Sequence, residues 1–529
     1  MTRRLKHWGW GYEDEQPSPD ELRQTAAFLA TRLGFGSAEP DQPTPIEGVS
    51  LPAPRLSPPG SLEHICRQDP YERALHTYGR SYSDIVRAFR GRFDHPPDVV
   101  AHPRDEGEVQ AVLDWALEAG AAVIPFGGGT SVVGGVEGAV PDRHRGVVTI
   151  DLKALNRVLD VDRVSMAARI QAGALGPELE DQLAQDGLTL RHFPQSFQFS
   201  TLGGWIATRA GGHFATVFTH IDDLVESVRA LTPVGAWESR RLPGSGAGVS
   251  PDRMLLGSEG TLGVITEAWM RVRPRPTHRA SAAVRFDDFA TGAAAVRALS
   301  QSGLYPTNCR LIDPGEAAMT GAGDGSHALL VLGFESADHD VEPWMSRALE
   351  CCSDHDGSWE RRGSGGGDRD AAVGSWREAF LRAPYLRDTL IAIGILSETF
   401  ETAITWDRFE VFHRTVLERA TAAVREVCGA GSVTCRFTHV YPDGPAPYYT
   451  ILAPAARGFE LEQWAQIKRA ASDAVIECGG TITHHHAVGR DHRPWYDEQR
   501  PDLFAAALRA AKSAVDPGGV LNPGVLVDA

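Results

Sequence analysis

Pro125-Phe-Gly-Gly-Gly-Thr-Ser131 is the stretch on which the reading of this sequence turns. The apolar run Ala121–Phe126 predicts a short buried strand that feeds straight into three consecutive glycines. Glycines leave backbone N–H groups unshielded and let the chain wrap an anion, and Thr130 and Ser131 add hydroxyl donors. A strand entering such a loop suits a pyrophosphate. The loop is not a Rossmann fingerprint, because Val132 stands where the third glycine belongs, and no Gly-Lys-Ser/Thr follows to make a Walker loop. Two further glycine-rich stretches lie downstream. Pro194-Gln-Ser-Phe-Gln-Phe-Ser-Thr-Leu-Gly-Gly-Trp205, continuing to Ala207-Thr-Arg-Ala210, sets small and hydroxylic residues beside a Gly-Gly pair. Gly257-Ser-Glu-Gly-Thr-Leu-Gly-Val-Ile-Thr266 predicts a tight turn entering a strand.

Around these motifs the pattern is α/β. Asp105 and Glu108 predict a capping box for a helix with Val109, Val112, Leu113 and Ala116 on its apolar stripe, closed by Gly120. Val147–Leu152 and Ser165–Ala172 read as strands, and 177–186 as a short helix stopped by Gly187. Upstream, Ser18, Pro19 and Glu21 start a helix that Gly34 ends, and Leu22, Ala26, Leu29 and Leu33 give it a docking face. A Pro-rich run from Pro40 to Pro59 reads as an extended linker. The expected division is an N-terminal helical extension and linker at 1–92, a nucleotide-binding unit at 93–276 that exits through Arg271-Val-Arg-Pro-Arg-Pro276, and a mixed unit at 277–480. The final segment, 481–529, holds a histidine cluster, a helix around 502–514 and the turn Asp516-Pro-Gly-Gly519. A Gly/Ser/Asp insert near 363–369 reads as a surface loop.

Composition bounds the function. The chain has 529 residues, 42% of them hydrophobic and 23% charged, which suits several packed globular units. The net charge of −17 disfavours nucleic acid and anionic lipid surfaces as partners, although it leaves room for a small basic pocket. Seven scattered cysteines without a paired C-x-x-C point to a reducing, cytoplasmic setting. The charged start leads into no secretory signal, the end Leu526-Val-Asp-Ala529 carries no peroxisomal address, and no stretch approaches the roughly 20 apolar residues of a membrane span.

The three glycine-rich motifs, in this order and spacing, make residues 95–275 resemble the FAD-binding domain of the vanillyl-alcohol oxidase and p-cresol methylhydroxylase superfamily. The resemblance implies an α+β fold: an FAD-binding domain, an α+β cap domain, and the helical N-terminal extension. It also implies that Pro125, Gly127, Gly128, Gly129, Thr130, Ser131, Ser196, Thr201, Gly204, Thr208, Glu259, Gly260, Thr261 and Val264 line the FAD. Members of that superfamily often tether FAD through a His or Cys near the loop. Positions 125–135 contain neither, so the expectation is FAD held non-covalently.

His484-His-His-Ala-Val-Gly489 narrows the choice. Histidines transfer protons near neutral pH, bind phosphate when protonated, or hold metals. In an extended stretch His484 and His486 would share one face and His485 would point away. The run resembles the His-His-His-x-Val-Gly active-site motif of the alkyldihydroxyacetonephosphate synthase family. Trp8-Gly-Trp-Gly-Tyr12, Ala207–Ala210, Arg310-Leu-Ile-Asp313, Tyr385–Asp388, Phe400–Thr402, Trp406–Arg408 and Thr434-Cys-Arg-Phe-Thr438 have counterparts in order, and the resemblance covers nearly the whole chain.

By that resemblance Tyr448 is the catalytic tyrosine, His484, His485 and His486 hold or shuttle protons, and Arg387 and Arg310 bind substrate, with no metal. The implied reaction exchanges the acyl chain of acyl-dihydroxyacetone phosphate for a fatty alcohol at the flavin, without net redox. A homodimer is implied too, and a lipid substrate would place the protein peripherally at a membrane. Gln195 replaces an aspartate of the family pattern, Ala487 a glycine and Arg490 a lysine. The alternative is an FAD-linked 2-hydroxyacid dehydrogenase of the D-lactate or glycolate type. Those relatives carry a metal-binding His-x-Gly-Asp-Gly-Asn-x-His segment and a Glu-His-Gly-x-Gly segment. Here the second histidine of the first is Tyr448 and the glutamate of the second is His485.

Overall fold

The computed structural model describes residues 3–359 and 385–528, so the loop expected at 363–369 lies outside the described residues. Two sheets are built from the N-terminal half. In the first, Cys66–Arg67, Val99–Ala101, Val147–Asp151 and Ala122–Phe126 lie side by side, the last three parallel. Parallel strands need a crossover, and the helix Glu106–Ala119 supplies it between Val99–Ala101 and Ala122–Phe126. Its Val109, Val112, Leu113 and Ala116 are all buried, as the 3.6-residue period requires. Asp105 accepts the Glu108 N–H at 2.9 Å. The return half of the expected capping box is absent, because the Glu108 carboxylate takes the Arg104 N–H and pairs with His64.

The second sheet is antiparallel: Val158–Asp162, Ala167–Gln171, Val264–Arg271, Val225–Thr232 and Gly235–Glu238. Val158–Asp162 escapes the sequence reading because it is a half-exposed edge strand without a clean apolar alternation.

The third sheet fixes the site. Its six antiparallel strands run in the order His278–Phe286, Ala328–Ser336, Asn308–Ile312, Ser432–Val440, Pro445–Pro454, Ile395–Glu401. Phe289–Gln301, Glu342–Ser353, Trp406–Cys428 and Glu460–Glu477 contribute helices to the large core with it, which takes in Leu311, Leu330, Phe437, Tyr449 and Ile451. Alternation at period two turns Arg436, Thr438, Tyr448 and Thr450 to the other face.

The ends of the chain are woven into these units. Ser18 and Glu21 form the expected reciprocal cap of the helix Pro19–Leu33, and Gly34 ends it at φ +77°. Ala26 is buried against Leu390, Ile393, Ile395 and Leu452, so this helix docks on the six-stranded sheet. Cys66–Arg67 is the edge strand of the first sheet, and Trp8, Trp10 and the helix Tyr82–Phe89 belong to the large core. At the other end, Val123 donates to Val520 at 2.7 Å and Asn522 donates to Val123 at 2.8 Å, clasping the strand that feeds the glycine loop.

Lys6 pairs with Asp388 at 3.2 Å, both almost fully buried, and Asp388 also accepts the Trp10 N–H at 3.0 Å. Burial pushes the Asp388 carboxyl up to about 6 even with Lys6 beside it. Asp388→Ala strands the Lys6 ammonium in the interior and should cost about 3–5 kcal/mol. Thermal unfolding checks this: a loss of several degrees is expected, and a variant melting with the wild type would show that the pair contributes nothing.

Candidate active site

A cavity of about 600 Å³ is bounded by the glycine loop on one side and the open face of the six-stranded sheet on the other. Pro125, Gly127, Gly128, Gly129, Thr130, Ser131, Ser196, Thr201, Gly204, Thr208, Glu259 and Gly260 all line it. The glycines are needed for two reasons. A Cβ on Gly128 would sit 1.5 Å from the Phe199 carbonyl oxygen, so the loop can only pack on the 194–204 segment without side chains. At Gly204 a Cβ would meet only Thr201 Oγ1, at 3.4 Å, and would otherwise take up cavity space. Backbone amides, hydroxyls and unfilled volume together fit a flavin dinucleotide.

Two residues expected beside the cofactor lie off the cavity. Thr261 and Val264 do not line the cavity. Thr261 is fully buried, its hydroxyl on the Ser258 carbonyl and its own carbonyl on the buried Lys512 ammonium, while Val264 packs with Leu231, Val520 and Leu521. The returning C-terminal segment covers that turn, which the local sequence cannot announce. Glu259 lines the cavity, yet its carboxylate accepts the Val488 and Gly489 N–H groups at 2.9 and 2.8 Å, and burial raises it to about 7.

Across the cavity, Glu401, Tyr448 and Arg436 sit opposite one another on three neighbouring strands. The Arg436 guanidinium lies 3.9 Å over the Tyr448 ring and is bonded to the Glu316 carboxylate at 2.5 Å. Burial alone would lower the Arg436 pKa, but Glu316 and Tyr448 raise it overall. Arg310 is buried nearby, and burial, with Arg436 adding to it, lowers its guanidinium to about 9. It therefore stays charged at neutral pH. Arg387 lines the cavity and donates to the Arg80 carbonyl at 3.1 Å, while its neighbour Asp388 is engaged with Lys6.

The histidine run is not extended, which corrects the expected facing. Glu401 accepts the N–H groups of His484, His485 and His486 at 2.5, 3.2 and 2.8 Å and the Thr483 hydroxyl at 2.6 Å. Three successive amides converging on one carboxylate curl the chain. His485 and His486 consequently line the cavity and His484 does not. His484 turns away to Tyr441, whose hydroxyl is 2.7 Å from Nε2. Burial lowers all three histidines, opposed by Glu401, and so favours their neutral forms. Glu401 itself is held well below the usual carboxylate range: burial opposes the shift, and the charge that His485, His486 and His484 gain when protonated, with the Thr483 hydroxyl, outweighs it.

Ring nitrogens of His439, His484 and His485 come within 4.8 Å of one another, close enough to surround a cation. Several already face other partners. His484 Nδ1 meets His485 Nδ1 at 3.0 Å, and His439 Nε2 meets the Gly212 carbonyl at 3.1 Å. Arg436, Glu401, Tyr441 and His439 are missing from the residues expected at the site. The alternation of Thr434–Thr438 could have placed Arg436 beside Thr438, and Glu401 lies in the Phe400–Thr402 segment already quoted, but its partners lie more than 80 residues away.

Residues 97–239 match the family described as FAD binding domain, and 275–526 match FAD linked oxidases, C-terminal domain. The solved structure of p-cresol methylhydroxylase superposes with a TM-score of 0.66 at 14% identity, over 87% of this chain and 93% of that one, which shows the fold alone. The protein is an FAD-binding flavoprotein whose fold is shared with p-cresol methylhydroxylase. An alkyldihydroxyacetonephosphate synthase of Dictyostelium discoideum is 30% identical over 87% of this chain and 78% of its own length. A solved alkyldihydroxyacetonephosphate synthase structure superposes with a TM-score of 0.81 at 26% identity, covering 98% of each chain. The chain belongs to the alkyldihydroxyacetonephosphate synthase family.

Glu401→Gln tests the clamp. A carboxyl depressed in the folded state stabilises the protein above its unfolded value of about 4.5, and that contribution is lost as pH falls through the folded value. The variant should be less stable by about 3–5 kcal/mol at pH 7. The gap should begin to narrow below about pH 4.5 and close further as pH falls toward the folded value, as denaturant unfolding at pH 7 and at a series of pH values below 4.5 will show. An unchanged gap would mean that the charge is not what holds the histidines.

Proposed function

We propose that this protein replaces the acyl chain of an acyl-dihydroxyacetone phosphate with a fatty alcohol, forming an ether without net redox. One observation carries the reading: a single cavity beside the flavin loop is lined by both guanidinium groups and a set of apolar side chains. Arg310, Arg387 and Arg436 supply the positive charge, and Leu29, Leu33, Met319, Leu386, Leu390 and Leu452 supply the apolar wall. A phosphate with a long hydrocarbon tail needs both. Planar guanidinium forks bind phosphate oxygens bidentately, and apolar walls take the chain out of water.

Bound FAD supplies an electron-poor ring at which the substrate's C1 can exchange one oxygen substituent for another. The chain's own residues do the rest. Tyr448, buried at 5% exposure with Arg436 against its ring, takes the proton from C1. His485 and His486, kept neutral by burial, pass protons to and from the departing acid and the arriving alcohol. Arg387 and Arg310 fix the phosphate. Phe28 and Leu386, both exposed, suit a cavity mouth that meets a membrane surface from which a fatty alcohol is drawn. Among the described residues no helix is long and apolar enough to cross a membrane.

Purified protein given acyl-dihydroxyacetone phosphate and labelled fatty alcohol should release the fatty acid and yield the ether. Tyr448→Phe should lower turnover at least about a hundredfold with FAD retained, since a positioned general base contributes roughly 10²–10⁴-fold. Near-normal turnover would remove Tyr448 from the mechanism. Arg387→Lys should instead raise KM, because a point charge replaces a fork.

FAD held without a covalent bond should pass wholly into the supernatant on acid precipitation. Lactate, glycolate and 2-hydroxyglutarate should leave the flavin oxidised in anaerobic solution. Rapid bleaching by any of them would favour a 2-hydroxyacid dehydrogenase instead.

A further inference from the structure

His485 lines the active-site cavity, and its Nδ1 lies 3.0 Å from Nδ1 of His484. The opposite ring nitrogen of His484, Nε2, lies 2.7 Å from the Tyr441 hydroxyl, which is 3.0 Å from Thr219 Oγ1. Tyr441 is half-buried and lines a different cavity, of about 460 Å³, together with Arg408, Asp443, Thr481 and Gln499. The two cavities share no lining residue. We propose that His485, His484 and Tyr441 form a proton relay that carries protons from the active-site cavity to this second cavity.

The relay rests on the proposed function for the origin of its proton, but its geometry stands without it. In the loading state His485 Nδ1–H donates to His484 Nδ1, His484 Nε2–H donates to the Tyr441 oxygen, and the Tyr441 O–H donates to Thr219 or to water. A proton taken up at His485 Nε2 lets the Nδ1 proton pass to His484. His484 gives its Nε2 proton to Tyr441, and Tyr441 releases its own to water in the second cavity. One proton enters, one leaves, and every heavy atom keeps its valence. Two features suit the ring of His484 to this task. Its backbone is fixed by Glu401 and by His220 Nε2, which donates to the His484 carbonyl at 2.8 Å. Both of its nitrogens have a partner that can either give or take a proton. A cavity in which a buried tyrosine receives a carbon-bound proton needs such an exit.

Tyr441→Phe removes one hydroxyl and keeps the ring packed. In histidine-labelled holoenzyme, exchange of the His484 and His485 ring protons with deuterated water, followed by ¹⁵N resonance, should slow at least tenfold in the variant. This measurement needs no substrate. With acyl-dihydroxyacetone phosphate deuterated at C1, washout of the label should fall by a similar factor at unchanged KM and recover with added imidazole, which carries protons in place of the hydroxyl. A merely structural effect would show no imidazole rescue. Ring-proton exchange at the wild-type rate would overturn the relay, as would one equivalent of bound metal, since a cation would take the His484 lone pair. If the wild type releases no label while ring exchange slows as expected, the relay stands and the substrate assignment fails.

Discussion

One buried carboxylate holds the active site together. Glu401 ends a strand of the six-stranded sheet, and its two oxygens receive three consecutive amides of His484–His486 and a threonine hydroxyl. A carboxylate this deep is tolerable only because donors surround it. The same bonds dictate the path of the histidine backbone and which ring reaches the cavity. Remove the side chain and three successive N–H groups lose their acceptor at once. The pairing of Glu401 with Tyr448, and of Tyr448 with Arg436, then ties the histidines to the tyrosine and the guanidinium through strand register, which cannot drift by one residue without turning every side chain over.

A second set of bonds holds the flavin side. Glu259 reaches from the third glycine turn to the Val488 and Gly489 amides, and Asn522 donates to the Gly135 and Glu259 carbonyls. Lys512, fully enclosed, binds the Thr261 and Leu521 carbonyls and the Asp516 carboxylate. The C-terminal segment therefore locks the glycine loop, the 257–266 turn and the histidine run into one assembly. The floor and roof of the cavity cannot move independently where these bonds cross.

The face of the third sheet divides chemistry from packing. Cys435, Phe437, Tyr449 and Ile451 join the core beneath, while Arg436, Thr438, Tyr448 and Thr450 face the cavity. Charged residues reach this interior because each is answered: Arg436 by Glu316, Glu401 by amides, Asp388 by Lys6. The same cavity is also lined by Leu29, Leu33, Leu390 and Leu452, where the N-terminal helix docks on the sheet. One cavity thus offers both guanidinium groups and apolar walls, the combination an amphiphilic substrate requires.

The sequence by itself determined the local elements and the chemistry of the flavin loop. Glycine runs, a capping serine with its glutamate, and apolar residues at period 3.6 act through neighbours a few positions away, so Ser18–Gly34, Glu106–Ala119 and Gly127–Gly129 were legible without a fold. Arg310, Arg387, Tyr448, His485 and His486 could be named from the motifs, and all line the cavity. What only the tertiary structure decided was which way shared residues face. Thr261 and Val264 are covered by a segment some 250 residues later. The histidines look extended in isolation, yet they curl around a glutamate more than 80 residues away and send His484 to Tyr441 instead of the cavity. The physical reason is the same in each case. A buried polar group must find its partner wherever the fold supplies one, and that partner outweighs the local preference of the chain.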